Sequence, residues 1–382
     1  MSPPARRAPA PVLAAPAESE ERKEATANIT AKLAEIHKVH GAHVIKAAEL
    51  RPRFLHIPTG IFTLDMACLG GIPEGVATLN MGWEHSGKTT GTLRTLGRAQ
   101  KKYRPQGKRA ALVDLEGTYA PEWGAFHGID NSELLLIQPD SGEQALDITV
   151  ELLKTREICA IAIDSLAGLV PMKEQERSFE DQGMGEQARM IGRFCRVAQN
   201  VLLQQRRFDH HPALMMINQW RFKIGVMHGD PRVLPGGQAQ HYMAALKIDW
   251  KNKEVGGKAG DGQEANSIAY NEHSFTIKKN KIGIAAREGV FKMIRDPNHP
   301  LGQGFIDDAS TVVTYCKSIG WVSGGGSSWK LIDVDQKFSR LQEIADYLYD
   351  EPEFYESLKA RLITAYRKSR GLDHEWYRRG EY

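Results

Sequence analysis

Short apolar runs alternate with longer helix-like stretches through most of this chain. The runs at residues 76–81, 110–114, 134–137, 160–163 and 213–217 are apolar nearly throughout. Strands with one wet face alternate in and out, whereas strands covered by helices on both faces read as continuous apolar runs. The pattern therefore predicts an α/β fold with a mostly parallel central sheet. Residues 90–100 contain no proline and read as the helix that follows the first run. Nearer the start, Ile29, Leu33, Ile36 and Val39 fall on one face of a helix predicted over 25–40, and Gly41 is its stop. Towards the other end Phe338, Leu341, Ile344, Ala345 and Leu348 make one apolar stripe, and Phe354, Leu358 and Leu362 make a second after Pro352.

Composition narrows the class. With 382 residues, one large core with small appendages is expected. The 41% hydrophobic and 25% charged content is that of a soluble globular protein, and no apolar run approaches a membrane span. A net charge of +3 does not by itself demand a polyanion, so any nucleic-acid reading must rest on local patches. Cys68, Cys159, Cys195 and Cys316 are scattered without a C-x-x-C pair, which points to reduced thiols in a cytosolic setting, with Cys159 and Cys195 as core filler. Residues 1–20 are rich in proline and alanine, lack the apolar region of a secretory signal, and are expected to be a disordered tail. Between that tail and the basic linker Arg51-Pro52-Arg53, the 25–40 helix has little of its own domain to pack against. A neighbouring subunit and a local lid are both open as its partner.

The chemistry starts at Gly82-Trp83-Glu84-His85-Ser86-Gly87-Lys88-Thr89-Thr90, which fits G-x-x-x-x-G-K-[ST] between a strand and a helix. Backbone N–H groups of such a turn, with the positive end of the helix behind it, favour phosphate oxygens. Lys88 is placed to reach the β- and γ-phosphates of a nucleotide and the Thr89 hydroxyl to hold Mg²⁺. In parallel sheets ligands bind beyond the carboxyl ends of the strands, so polar residues there carry the functional expectation. Ile158-Cys159-Ala160-Ile161-Ala162-Ile163-Asp164 ends in a carboxylate suited to orienting the metal's water shell. Val113-Asp114-Leu115-Glu116 puts Glu116 at the same edge, where it would polarise an attacking water. At the end of the 213–217 run, Asn218-Gln219 offers an amide to sense the γ-phosphate.

Residues 220–237 interleave aromatic, cationic and glycine residues without periodicity and read as a long mobile loop suited to single-strand binding. Residues 172–185 form a second irregular stretch after the Asp164 strand, and Arg189, Arg193 and Arg196 follow on or near one helical face. His210-His211 lacks further clustered ligands and reads as a solvated loop.

Gly82 to Thr90, Val113-Asp114-Leu115-Glu116, Gln138-Pro139-Asp140-Ser141-Gly142-Glu143-Gln144-Ala145-Leu146, Ile163-Asp164-Ser165-Leu166-Ala167, Ile217-Asn218-Gln219 and Lys223-Ile224-Gly225-Val226-Met227 together resemble the bacterial-type RecA recombinases, in order from about residue 25 to about residue 366. The resemblance implies ATP and Mg²⁺ as ligands, with residues 82–90 and Asp164 around the nucleotide and Thr89 and Asp164 at the metal. It implies Glu116 as the residue that activates water, Gln219 as the link from γ-phosphate to the DNA loop, and Trp123 as the ring against adenine. Met184, Gly185 and Arg189 at the first loop, and Arg221, Lys223, Ile224, Gly236, Gly237 and Gln238 at the second, become the expected DNA contacts. Lys279 and Lys281 match a lysine pair that reaches the neighbouring subunit's nucleotide, and Tyr242 lies near that interface. The implied partners are single-stranded and homologous duplex DNA and further copies of the chain in a helical filament, with no membrane.

The expected domains are a tail (1–24), a docking arm (25–51), a RecA-like core (52–296), a C-terminal α/β domain with Trp321 and Trp329 (297–366), and a basic tail (367–382). Trp83 and His85 replace smaller residues, Trp220 and Pro235 are unusual in the second loop, and the end of the chain is basic where relatives often carry an acidic tail. Two other readings share the motifs. One is a DNA-binding filament or regulatory protein with a vestigial ATPase, against which the intact Lys88, Asp164 and Glu116 speak. The other is a ring helicase, which the arm helix and second loop do not support.

Overall fold

The computed structural model describes residues 20–40, 55–176, 178, 185–223, 229–253, 270–283 and 287–370. Met184, Ile224, Arg378 and Arg379 lie outside them. The chain divides into two compact units, Met1–Pro52 and Arg53–Tyr382. The first contributes one helix, α1 (Glu20–His40), on which Ile29 and Val39 are exposed and Leu33 and Ile36 half-buried. It begins five residues ahead of the predicted helix start at 25. Glu20 to Glu24 are good helix formers, and the Lys23–Glu20 ion pair (2.7 Å) adds a turn that an apolar-periodicity reading does not see.

The second unit runs β1 (His56–Ile57), α2 (Phe62–Ala67), β2 (Ile72–Pro73), β3 (Ala77–Gly82), α3 (Lys88–Tyr103), β4 (Arg109–Asp114), α4 (Pro121–Phe126), β5 (Leu134–Ile137), α5 (Gly142–Lys154) and β6 (Ile158–Asp164). It continues through α6 (Met172–Gln175), α7 (Glu186–Gln205), β7 (Ala213–Gln219), β8 (Arg221–Phe222), β9 (Arg232–Val233), α8 (Ala239–Met243), β10 (Leu246–Lys253), β11 (Tyr270–Asn280), β12 (Glu288–Ile294) and β13 (Ile306–Asp307). It ends with α9 (Ala309–Ser318), β14 (Val322–Gly325), β15 (Ser328–Leu331), β16 (Lys337–Phe338), α10 (Leu341–Asp350) and α11 (Pro352–Ser369).

All five predicted apolar runs are strands of one nine-stranded sheet, ordered β13-β12-β11-β10-β3-β7-β6-β4-β5. From β10 to β5 neighbours are parallel, and from β10 to β13 they are antiparallel. Strands β3, β6 and β7 are buried over almost their whole length, which is why they carry no alternation. One face packs on Leu93, Leu96 and Tyr103 of α3, the other on Leu146 and Leu153 of α5 and Phe194 and Leu202 of α7. Trp250 of β10 sits against Gly91 of α3, where a Cβ would meet its ring at 2.5 Å, so helix and sheet approach closely behind the phosphate loop. The four cysteines are unpaired and buried.

The small lobe forms from β14, β15 and β16 with α9, α10 and α11, and its core also takes Phe62 and Met66 from α2. Three expectations change here. Phe338 stands on β16 and meets Leu341, Ile344 and Leu348 of α10 across a turn, so the stripe is not one helix. Residues 172–185 begin with the single helical turn α6, and residues 220–237 contain the hairpin of β8 and β9. The basic stretch from 367 does not start as a tail: α11 runs to Ser369 and Arg367 is 7% exposed, because the Leu358, Leu362 and Ile363 row carries the helix onward.

Candidate active site

Four parallel strands end side by side. Gly82 of β3 is in register with Gln219 of β7, and Asp114 of β4 with Asp164 of β6. The chain then turns into α3 through Gly87, whose φ of +93° is a left-handed conformation that glycine adopts without steric cost. No side chain caps α3 and its first turn holds no acid, so its N–H groups and dipole stand open to an anion. Trp83, Glu84 and His85 form the exposed outer rim of the turn, and Ser86 is buried beneath it.

Lys88 is 6% exposed and its ammonium donates to the Trp83 carbonyl (2.5 Å) and the Ser86 hydroxyl (3.3 Å). Burial lowers its pKa, against the pull of Asp164, Glu116 and Glu84. The Thr89 hydroxyl donates to Asp164 at 2.8 Å. Burial pushes Asp164 up to about 6, with Glu116 and Asp114 adding to the rise, while the Thr89 bond and Lys88 oppose it. Glu116 accepts from the Gln219 amide (3.0 Å) and from the Ser165 hydroxyl (3.1 Å) on one oxygen. Its turn is held by Asp114, which accepts from the Thr118 and Tyr119 amides and from Gln138. Glu116, Gln219, Asp164 and residues 84–90 thus line one cleft of about 620 Å³, and Trp123 is also in its lining.

Several lining residues were not foreseen: Asn252, Asn271, His273, Met293, Arg295 and Gln303. Asn252, Asn271, His273 and Met293 stand on β10, β11 and β12, where Asn252 pairs with His273, His273 with Phe291, and Asn271 with Met293, and Arg295 and Gln303 follow in the connection from β12 to β13. No local motif marks them, since sheet pairing and not sequence spacing brings these strands to the phosphate loop. His273 is fully buried, stacks on Phe291 (5.2 Å, 13°) and donates from Nδ1 to the Ser86 carbonyl at 3.2 Å. Burial lowers its pKa, so the ring is neutral and the acceptor fixes its tautomer. Among the described residues its Nε2 and the Asn252 and Asn271 side-chain oxygens have no hydrogen-bond partner. Buried polar atoms of this kind mark a surface built for a polar ligand.

The residues fit a nucleotide with Mg²⁺: an uncapped helix start, a buried cation, a hydroxyl paired with a carboxylate, and orphaned acceptors along the wall. Among the described residues no group of three or more His, Cys, Asp or Glu could hold a metal by itself.

The second loop is anchored at both ends. Asn218, fully buried, donates to the Pro235 carbonyl (2.9 Å) and to Gln240 (2.8 Å), so it closes the loop and does not face the cleft. Trp220 donates to the buried Asp249 at 2.9 Å, and the Arg232 guanidinium lies 5.0 Å from the Trp220 ring centroid. Arg221 and Lys223 are exposed on the hairpin and Arg189 is exposed on the first turn of α7, after Gly185. Gly236 is buried against Ile191, and Gly237 lies over Ala188, which brings the two loop roots together; Gln238 is exposed. Lys279 and Lys281 lie away from the cleft lining, and Lys279 donates to the His241 and Tyr242 carbonyls. Tyr242 is 75% exposed.

Fold and site define an α/β ATPase of the phosphate-loop class. The RecA N-terminal domain family matches residues 27–297, and the chain belongs to the RecA family. It is 34% identical to Protein RecA of Thermus aquaticus over 308 residues, covering 80% of this chain and 84% of that one. It is 31% identical to the mitochondrial DNA repair protein recA homolog of Dictyostelium discoideum over 319 residues, covering 83% and 65%. Among solved structures the RadB recombinase aligns with a TM-score of 0.44 at 18% identity, covering 62% of this chain and 96% of that chain. No helix among the described residues is long and apolar enough to cross a membrane.

Proposed function

We propose that this protein is an ATP-dependent DNA recombination and repair protein that forms helical filaments on single-stranded DNA and exchanges strands with homologous duplex. The observation that carries the reading is the hydrogen bond from Gln219 to Glu116. It joins the residue suited to act on the attacking water to the strand end from which the cationic hairpin grows.

In the hydrolytic step water adds to the γ-phosphorus as the bond to the ADP oxygen breaks, and Glu116 accepts the water's proton. Lys88 and the start of α3 hold the phosphates and balance the charge of the transferring group. Thr89 and Asp164 are the residues that would hold Mg²⁺, which would supply positive charge to offset that of the phosphates. A γ-phosphate contact with the Gln219 amide would compete with Glu116, so nucleotide state and hairpin position are linked at one side chain. Arg221, Lys223 and Arg189 are the exposed cations for the DNA backbone. Lys279 and Lys281, remote from their own cleft, fit a role at the cleft of an adjacent copy. The described part of the arm, α1, with Ile29 and Val39 exposed, fits docking on that copy.

The test is ATP hydrolysis by the purified protein with and without single-stranded DNA, paired with electron microscopy of the ATP-bound mixture. Strong stimulation with helical filaments is expected. Closed hexamers, or hydrolysis indifferent to DNA, would overturn the reading.

A further inference from the structure

The phosphate loop and the hairpin begin at neighbouring residues of one strand ladder. Gly82 pairs with Gln219, and the Trp220 amide donates to the Gly82 carbonyl at 3.3 Å. Just beyond, the rings of Trp83 and Phe222 meet with centroids 4.7 Å apart at 36°. This contact is not core packing, since Trp83 is 37% and Phe222 67% exposed. A ring pair at the surface is worth little enough to break and remake within a working cycle.

Each ring is held by the machinery on its own side. On the hairpin, Phe222 pairs with Arg232, and the Lys223 backbone amide donates to the Pro231 carbonyl at 2.9 Å. Arg232 bonds Asp230 (2.7 Å) and lies 3.7 Å from Asp249, the residue that also anchors Trp220. On the phosphate loop, the Trp83 carbonyl accepts the Lys88 ammonium at 2.5 Å. A phosphate that draws Lys88 away takes the partner from that carbonyl, and the Trp83 peptide and ring are then free to reorient. Phe222 must follow, or lose the contact.

We propose that the Trp83–Phe222 pair couples nucleotide binding to the DNA hairpin, as a route separate from Gln219. Trp83 and Phe222 are positioning residues here, acting through Lys88 on one side and through Arg221 and Lys223 on the other. The inference rests on the function proposed above, with triphosphate in the cleft and single-stranded nucleic acid on the hairpin.

The test measures the affinity of full-length protein for a labelled oligothymidylate with and without ATPγS, and takes the ratio as the coupling. It does so for wild type, Trp83→Ala, Phe222→Ala, the double variant and Trp83→Phe, with ATPγS binding measured separately on each. Each alanine variant is expected to lower the ratio by roughly twofold to tenfold, the reach of one aromatic pair. The double variant should lose no more than the larger single loss, because both remove the same contact, and Trp83→Phe should keep the ratio within about twofold. Unchanged ratios in both alanine variants, or losses that multiply in the double variant, overturn the inference while leaving the function standing. A wild type whose affinity ignores ATPγS overturns both.

Discussion

The nucleotide cleft and the seam where α11 meets α3 are both rich in charge, and they use it in opposite ways. At the seam Arg98 grips Glu356 with two nitrogens, and Lys359 reaches the same carboxylate at 2.8 Å. Asp308 accepts from the Phe62 amide (3.1 Å) and the Tyr355 hydroxyl. Burial alone would raise the Glu356 pKa, but the bonds and charges of Arg98 and Lys359 overcome it and hold the carboxyl well below its usual range. In the cleft the balance reverses. Burial dominates at both Asp164 and Lys88, moving each towards its neutral form, and among the described residues the acceptors on Asn252 and Asn271 stay unpaired. The seam completes its charges within the chain to fix the lobe. The cleft leaves its charges to be completed by a ligand, at the expense of stability.

Removing Lys88 tests that contrast most severely. Lys88→Ala should cut ATP turnover by about a hundredfold or more, since a preorganised charge in a desolvated site is worth several kcal/mol to a developing anion. Its thermal midpoint should match or exceed wild type, because a poorly solvated ammonium is gone. A large fall in midpoint with turnover intact would invert the comparison. Glu356→Ala should do the reverse. It strands Arg98 and Lys359 in a half-exposed seam and should cost about 1–3 kcal/mol in urea unfolding, with turnover per folded molecule unchanged.

Much of this division is legible in the sequence. The runs that became β3, β4, β5, β6 and β7 are apolar because both faces are covered, and a carboxyl-edge rule then located Asp164, Glu116 and Gln219. The other wall of the cleft was not legible. Asn252 reaches the phosphate loop through the parallel pairing of β10 with β3, and Asn271 and His273 through the antiparallel pairing of β11 with β10 and β12; one-dimensional spacing encodes neither. The hairpin of β8 and β9 is hidden in the sequence for a related reason. Two-residue strands carry no period, and what holds them is a side-chain anchor, Trp220 on Asp249. Charge at the end of the chain suggests a solvated tail at Arg367, yet long basic side chains bury well when their helix continues an apolar row.

The pH dependence of two variants sharpens the comparison, because the signs differ. Asp164 has a folded pKa of about 6, above its unfolded value of 3.8, so the folded state binds more protons between those values. Its contribution to stability therefore falls as pH rises through that window. Asp164→Asn should gain up to about 3 kcal/mol above pH 6 and nothing below about pH 4, while abolishing metal-dependent turnover. Glu356 is depressed, so its contribution is present above the usual glutamate range and lost in acid. The cost of Glu356→Ala should shrink as pH falls below about 4.5. Unfolding midpoints relative to wild type, taken from about pH 3 to 8, should rise with pH between about 4 and 6 for Asp164→Asn and fall with rising pH only below about 4.5 for Glu356→Ala; slopes of one sign would mean that cleft and seam use their charges alike.

The smallest expected effect falls on His273, where the two uses of polarity meet. Its Nδ1 bond to Ser86 is completed within the chain, as at the seam, yet it lies on the cleft wall and its Nε2 is unpaired. His273→Phe keeps a ring to stack on Phe291 and deletes the donor, leaving the Ser86 carbonyl without it. One buried hydrogen bond of this kind is worth about 1 kcal/mol, so nucleotide affinity should weaken about fivefold, with little change in the rate of the bound complex. His273→Asn, which can offer an amide donor in place of Nδ1, should recover part of the loss. The wild-type ring is kept neutral by burial, so nucleotide affinity should stay insensitive to its protonation above pH 6.5 and fall only in acid, as the imidazole is forced to charge. A His273→Phe protein with unaltered nucleotide affinity would assign the residue to the seam's kind of work, holding the phosphate loop in place without tuning what it binds.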